Sequence, residues 1–233
     1  MWTSSLIELS VIEDSFDVDK TGKLQGKTIL DVGTDGVKPL YISLKYEPKK
    51  IIGISDDLSQ FSFASNLEQA SRYFSKTEIK LEDCSWFSKE RLNEILAREK
   101  QNTFDFVLVS KTLHHLRKGK CIKKHKCRED EKCCIYEFEP EKIFQRLLKN
   151  GKRVIIYENY FPQEKDEDKV RGRGGYFTVN EWKRILTHLA ENYSLELIRP
   201  LRRSIGKEEV ESATAKLRQA DYICFYVEKT KEE

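Results

Sequence analysis

The sequence contains no run of about 18 apolar residues, which is the length that a membrane-spanning helix requires. Its first residues, MWTSSLIELSVIEDS, do not show the basic stretch followed by an apolar one that is typical of a secretory signal. The sequence also has no large excess of one charge, because 42 basic and 39 acidic residues leave a net charge of only +3. We therefore expect a cytoplasmic protein with no membrane partner, and the charge balance neither requires nor excludes a nucleic-acid partner.

Internal repeats and linkers rich in Pro, Gly or Ser are also absent. A chain of 233 residues can form one full α/β domain with its core, and little remains for a second. Hydrophobic residues make up 39% and charged residues 35%, which is typical of a globular protein with a highly charged surface. We expect a single domain over residues 1–233.

Seven stretches rich in apolar and β-branched residues predict strands: KTILDVG, KIIGIS, TEIKLED, FDFVLVS, KRVIIYEN, LELIRPL and DYICFYVEK. Helices are predicted directly after the first strand and over Leu58 to Phe74, Lys89 to Lys100, Pro140 to Leu148 and Val179 to Ala190. Thr178 and Glu181 have the spacing of a capping box, and the last two strands are expected to follow one another directly. The pattern predicts an α/β fold with a doubly wound, mostly parallel seven-stranded sheet.

The stretch KTILDVGTDGVKPLY places Gly33 and Gly36 in the turn between the first strand and its helix. Glycines let the backbone approach a ligand closely, and a helix N-terminus offers unpaired N–H groups. Asp56 and Asp57 follow the second strand, where an acid can accept hydrogen bonds from a ribose. A turn with two glycines is also a common structural joint, so a nucleotide site and a plain connection both remain open at this point.

Further along, the third strand ends at Asp83, the fourth strand FDFVLVS precedes LHHL, and LLKNGKRVIIYEN leads into the fifth. With these elements the chain, from about Gly26 to Val227, resembles the class I S-adenosylmethionine-dependent methyltransferases, which have a Rossmann-like fold. That family usually has D-x-G-x-G-x-G in the first turn, F-D-x-V and then L-H-H-L at the fourth strand, and L-K-P-G-G-R before the fifth. The positions that fit are Asp31, Gly33, Phe104, Asp105, Val107, the run Leu113 to Leu116, and Gly151.

The resemblance implies a cofactor site for S-adenosylmethionine. Its methionine part would be lined by Asp31, Gly33, Thr34, Asp35 and Gly36, its ribose by Ser55, Asp56 or Asp57, its adenine by Asp83 and Cys84, and its sulfonium by Ser110 and Lys111. Ser55 stands where the family has its acid, and Asp35 replaces a usual glycine. Since the cofactor carries an ammonium and a sulfonium, an acidic turn suits it better than it suits the pyrophosphate of a dinucleotide.

The implied reaction is a direct displacement, in which the protein positions the reactants and removes a proton where required. Candidate residues on the acceptor side are His115, Glu158, Asn159 and Tyr160. The acceptor would be a small molecule or RNA. The alternative is a catalytically silent member of the fold that serves as a cofactor- or RNA-binding interaction module.

Residues 117–136 form a Cys- and Lys-rich insertion between the fourth strand and the next helix. It contains five potential metal ligands: Cys121, His125, Cys127, Cys133 and Cys134. A structural zinc held by four of them would stabilise a segment that has little core of its own. Adjacent Cys133 and Cys134 would point in different directions, so only one is expected to bind. A disulfide and free thiols stay open as alternatives.

Overall fold

The computed structural model describes residues 24–34, 36–56, 73, 75–86, 88–101, 103–116, 118–121, 134–159, 177–199, 203–217 and 222–229. No helix within these ranges is long and apolar enough to cross a membrane.

The strands of the described residues are β1 (Thr28–Val32), β2 (Lys50–Ser55), β3 (Glu78–Asp83), β4 (Phe104–Ser110), β5 (Lys118–Cys121), β6 (Cys134–Glu137), β7 (Gly151–Asn159), β8 (Ser194–Arg199), β9 (Arg203–Ser204) and β10 (Tyr222–Glu228). The α-helices are α1 (Val37–Tyr46), α2 (Lys89–Arg98), α3 (Pro140–Asn150), α4 (Val179–Asn192) and α5 (Val210–Leu217). Short 3-10 helices cover Leu113–Leu116 and Lys207–Glu209. All seven predicted strands are therefore confirmed. The predicted helix from Leu58 to Phe74 lies almost wholly outside the described ranges.

In the described part of the chain, eight strands form one sheet in the order β3-β2-β1-β4-β7-β10-β8-β9. The contacts β3–β2, β2–β1, β1–β4 and β4–β7 are parallel, whereas β10 and β9 each pair antiparallel with β8. The doubly wound, mostly parallel α/β fold is thus confirmed, with one strand more than predicted. That strand, β9, has two exposed polar residues and so carries no apolar strand signal.

The prediction that the last two long strands follow one another directly was wrong, because β9, a 3-10 helix and α5 lie between β8 and β10. A signal for α5 exists in the sequence. Its buried residues have the spacing of one helix face. They are Val210, Ala213, Thr214 and Leu217.

The chain groups into two compact units. The first unit comprises Met1–Ser110 and Leu147–Tyr157, and the second comprises Lys111–Arg146 and Glu158–Glu233. In the first unit, the central strands β1 and β4 are buried almost throughout, which fits their unbroken apolar sequences.

The second unit has an aromatic core. Phe177 packs edge-on against Phe138 at 4.8 Å and against Trp182 at 4.9 Å between ring centroids, and Trp182 lies 6.2 Å from Phe225. Phe177 immediately precedes Thr178, whose hydroxyl accepts from the Glu181 N–H at the start of α4. The Glu181 carboxylate accepts from the Thr178 N–H in return. The predicted capping box is confirmed, and it fixes the chain entering α4 beside this core.

Asp105, which follows Phe104 at the start of β4, joins the amino ends of β1, β4 and β7. Its carboxylate accepts hydrogen bonds from the Thr28 N–H at 3.0 Å, from the Thr28 hydroxyl at 3.2 Å and from the Lys152 ammonium at 3.1 Å. The Thr28 hydroxyl accepts from the Asp105 N–H at 3.1 Å. Burial alone would raise the pKa of Asp105, but these donors outweigh it and lower the pKa below its usual value.

A second polar contact links the start of β2 to the end of α2. The Lys50 ammonium lies 2.5 Å from the Glu99 carboxylate and 3.4 Å from Glu78. The side chains of Lys50 and Glu99 are each only 11% exposed. The hydrogen bond from Lys50 is the main reason that the pKa of Glu99 lies below its usual value, and Arg98 adds to it against the opposing effect of burial.

Candidate functional site

The turn after β1 is shaped by two glycines with left-handed backbone angles. Gly33 has φ 74° and Gly36, the N-cap residue of α1, has φ 76°. Residues with a side chain rarely adopt such angles, so the glycines allow the chain to leave β1 and enter α1 abruptly. The N–H groups of Gly33 and Thr34 both donate to the Ile54 carbonyl, at 2.8 and 3.1 Å. The turn is therefore held against the carboxyl end of β2.

Gly53 in β2 makes room for this turn, and sequence reasoning did not identify it. A Cβ added to Gly53 would lie 2.9 Å from Cβ and Cγ2 of Thr34 and 2.8 Å from Cδ2 of Leu81, which is closer than real carbon atoms approach. The buried Thr34 uses its hydroxyl to accept the Gly36 N–H at 3.2 Å. The signal for Gly53 was a single glycine inside the otherwise apolar strand KIIGIS, a feature that often marks a close backbone approach.

Carboxylates occupy three neighbouring strand ends in the first unit. Asp31, in β1, is fully buried, whereas Asp56 and Asp83, after β2 and at the end of β3, are exposed. Ser55 is the register partner of Asp83, and its carbonyl accepts the Cys84 N–H at 2.8 Å. The ends of β2 and β3 are thereby fixed side by side, with acid groups accessible at their edge.

The end of β4 completes this edge. Ser110 is buried and pairs in register with Tyr157 of β7. Lys111 follows it with φ 51°, an uncommon backbone angle for a residue with a long side chain. Departures of this kind are often found at functional sites, where the surrounding structure imposes them.

Most of the predicted cofactor residues therefore lie at one edge, where parallel strands β1 to β4 end. The structure brings together Asp31, Gly33, Thr34, Gly36, Ser55, Asp56, Asp83, Cys84 and Ser110, with Lys111 next in the chain. Asp35 and Asp57 lie outside the described residues. The carboxylates at this edge suit a small organic cation with hydroxyl groups, because a carboxylate accepts strong hydrogen bonds from ammonium and hydroxyl groups. We call this edge the carboxyl-end site.

The predicted acceptor-side residues belong to the second unit. His115 is an exposed residue of the 3-10 helix Leu113–Leu116, and its N–H donates to the Thr112 carbonyl at 2.9 Å. Glu158 is fully buried in β7, and Asn159 is the last residue of that strand. Tyr160 lies outside the described residues.

Of the predicted metal ligands, Cys121 and Cys134 are register partners in the antiparallel hairpin β5–β6. His125, Cys127 and Cys133 lie outside the described residues. Among the residues that the structure does describe, no group of three His, Cys, Asp or Glu side chains could hold a metal ion.

The chain has the class I methyltransferase fold. Solved structures with a similar fold include the YcgJ protein of Bacillus subtilis, which is 11% identical, with a TM-score of 0.51 over 96% of this chain and 98% of that one. The methyltransferase domain of bacterial CtHen1 is 16% identical, with a TM-score of 0.50 over 93% and 97%. A SAM-dependent methyltransferase of Aquifex aeolicus is 18% identical, with a TM-score of 0.46 over 93% and 90%. No family model and no curated protein matches the sequence.

Proposed function

We propose that the protein is an S-adenosylmethionine-dependent methyltransferase that binds its cofactor at the carboxyl-end site. The observation that carries this proposal is the turn that begins at Gly33, whose N–H groups bind the Ile54 carbonyl at the sheet edge where Asp31, Asp56 and Asp83 also lie. An open sheet of this kind binds ligands at the carboxyl ends of its strands. The acidic lining agrees with a ligand that carries an ammonium and a sulfonium.

Each part of the cofactor has candidate residues. The methionine part would lie against Asp31, the Gly33–Thr34–Asp35–Gly36 turn and the N-terminus of α1. The ribose hydroxyls would donate to Asp56, with Ser55 and Asp57 as neighbours, and Asp83 with Cys84 would border the adenine. When bound, the cofactor supplies an electrophilic methyl group. Ser110 and Lys111 would close the site beneath that group.

The protein's own contribution to the transfer is position and proton removal. His115, Glu158, Asn159 and Tyr160 are the proposed acceptor-side residues, of which an imidazole or a carboxylate can take a proton from the attacking group. Displacement at a methyl group needs the nucleophile in line with the breaking bond, so orientation supplies much of the rate. The proposed acceptor is a small molecule or RNA.

Transfer of labelled methyl groups tests the activity. The full chain is incubated with methyl-labelled S-adenosylmethionine and, in separate reactions, with a small-metabolite pool and an RNA pool. We expect label in one of the two pools, and much less with Asp56→Ala at subsaturating cofactor. Protein that binds the cofactor but labels neither pool would instead support a silent binding module.

A further inference from the structure

The insertion after β4 contains a feature that the methyltransferase proposal does not use. Strands β5 and β6 form an antiparallel hairpin whose register runs from Lys118 opposite Glu137 to Cys121 opposite Cys134. The two cysteines are thus the last register pair before the connecting residues 122–133. Both belong to the second unit.

Backbone spacing makes this pair suitable for a disulfide. Directly opposed residues of antiparallel strands have Cα atoms about 4.5 Å apart in one kind of pair and about 5.5 Å apart in the other. Disulfides join residues whose Cα atoms are roughly 4.4–6.8 Å apart, so both kinds of pair satisfy the requirement. The other cysteines in the described ranges, Cys84 and Cys224, are buried and form no disulfide.

A tetrahedral zinc requires four ligands, whereas a disulfide requires the two cysteines that the register already pairs. We propose that Cys121 and Cys134, as directly opposed residues of the β5–β6 hairpin, form a reversible disulfide that closes the insertion. The register pairs Cys121 with Cys134, and the neighbouring Cys133 lies outside the described residues. The disulfide would restrict the conformations of the connecting residues.

The reaction is thiol–disulfide exchange with a low-molecular-weight disulfide as oxidant. One cysteine thiolate attacks a sulfur of the oxidant, forms a mixed disulfide and releases one thiol. The second thiolate attacks the protein sulfur of that mixed disulfide and releases the second thiol. Two protein thiols and one small disulfide become one protein disulfide and two small thiols. A reducing cytosol reverses the exchange.

Thiol counting on the full chain tests the proposal. The protein is equilibrated with reduced and oxidised glutathione at several ratios, trapped with an alkylating agent and analysed without reductant. The chain has six cysteines, and we expect oxidation to remove two titratable thiols in denaturant and to link the peptide of Cys121 to that of Cys134. Dithiothreitol should restore both thiols.

Cys133 and Cys134 fall in the same peptide, so the linked peptide alone does not show which of them pairs with Cys121. Variants identify that residue. Cys121→Ser and Cys134→Ser should each prevent the loss of two thiols, while the matched control Cys133→Ser should retain it. The proposal is overturned if Cys133→Ser abolishes the link and Cys134→Ser does not, or if all thiols stay free at every ratio. About one zinc per chain in untagged protein, with thiols that react only after a chelator is added, would also overturn it.

Discussion

Thr34 lies directly against Gly53, so closely that even a methyl group on Gly53 would overlap the Thr34 side chain. Thr34 belongs to the turn after β1, and Gly53 belongs to the neighbouring strand β2. The turn itself donates two hydrogen bonds to Ile54, the residue after Gly53. The position of the turn that we propose to bind the methionine part therefore depends on the absence of a side chain at Gly53.

The variant Gly53→Ala should displace Thr34 and its turn. Overpacking of a buried contact typically costs about 1–3 kcal/mol. We expect the affinity for S-adenosylhomocysteine to fall by roughly tenfold or more, a factor that corresponds to about 1.4 kcal/mol, measured by calorimetry. The matched control is Gly206→Ala, whose added Cβ meets the end of the flexible Glu208 side chain. Equal affinity of both variants and wild type would contradict this role of Gly53.

Asp56 is the proposed acceptor for the ribose hydroxyls, and its exposure at the end of β2 makes it accessible. Asp56→Ala should weaken cofactor binding by about 1–3 kcal/mol, the cost of losing hydrogen bonds to a charged acceptor. The control is Glu94→Ala, an exposed acid on α2 that pairs with Arg91. If Asp56→Ala binds as tightly as wild type, the ribose role passes to Asp57 or Ser55.

The seven predicted strands could be found because they are short stretches enriched in apolar and β-branched residues, a signal that needs no knowledge of neighbouring strands and that β9 does not have. The lone glycine in KIIGIS signals a close backbone approach at Gly53, but the sequence does not show that Thr34, from the turn after β1, is the residue that approaches. Asp105 shows a related limit of motif matching. It fits the family's F-D-x-V pattern, yet it joins the amino ends of β1, β4 and β7, at the edge opposite the carboxyl-end site.

Replacing Asp105 by Asn should therefore affect stability and leave cofactor binding unchanged. The loss of charge-assisted bonds to Thr28 and Lys152 should cost about 1–3 kcal/mol of unfolding free energy at pH 7, measured by urea denaturation. Because the folded-state pKa of Asp105 is lowered, its ionised form stabilises the fold above the unfolded-state pKa of about 3.9. The difference between wild type and Asp105→Asn should shrink as the pH falls below that value. A difference that grows on acidification would contradict the assignment.

The variant Glu99→Gln should show how much the contact between Lys50 and Glu99 contributes to the free energy of unfolding. Among the described residues, the largely buried Lys50 ammonium would keep Glu78 as its carboxylate neighbour, at 3.4 Å, so we expect a loss of about 1–3 kcal/mol in unfolding free energy. The lowered pKa of Glu99 means that this contribution too is present at neutral pH and is lost on acidification. Glu94→Gln is the control, because its exposed pair with Arg91 should contribute less than about 1 kcal/mol. Equal losses for the two variants would show that burial of the Lys50 pair does not matter.

Calorimetry of the folded full chain with S-adenosylmethionine and S-adenosylhomocysteine tests the central claim most directly. The carboxyl-end site predicts one binding site per chain for each compound, with weaker binding in Gly53→Ala and Asp56→Ala and unchanged binding in Gly206→Ala and Glu94→Ala. Absence of binding to both compounds, in protein whose cooperative unfolding shows that it is folded, would contradict the claim.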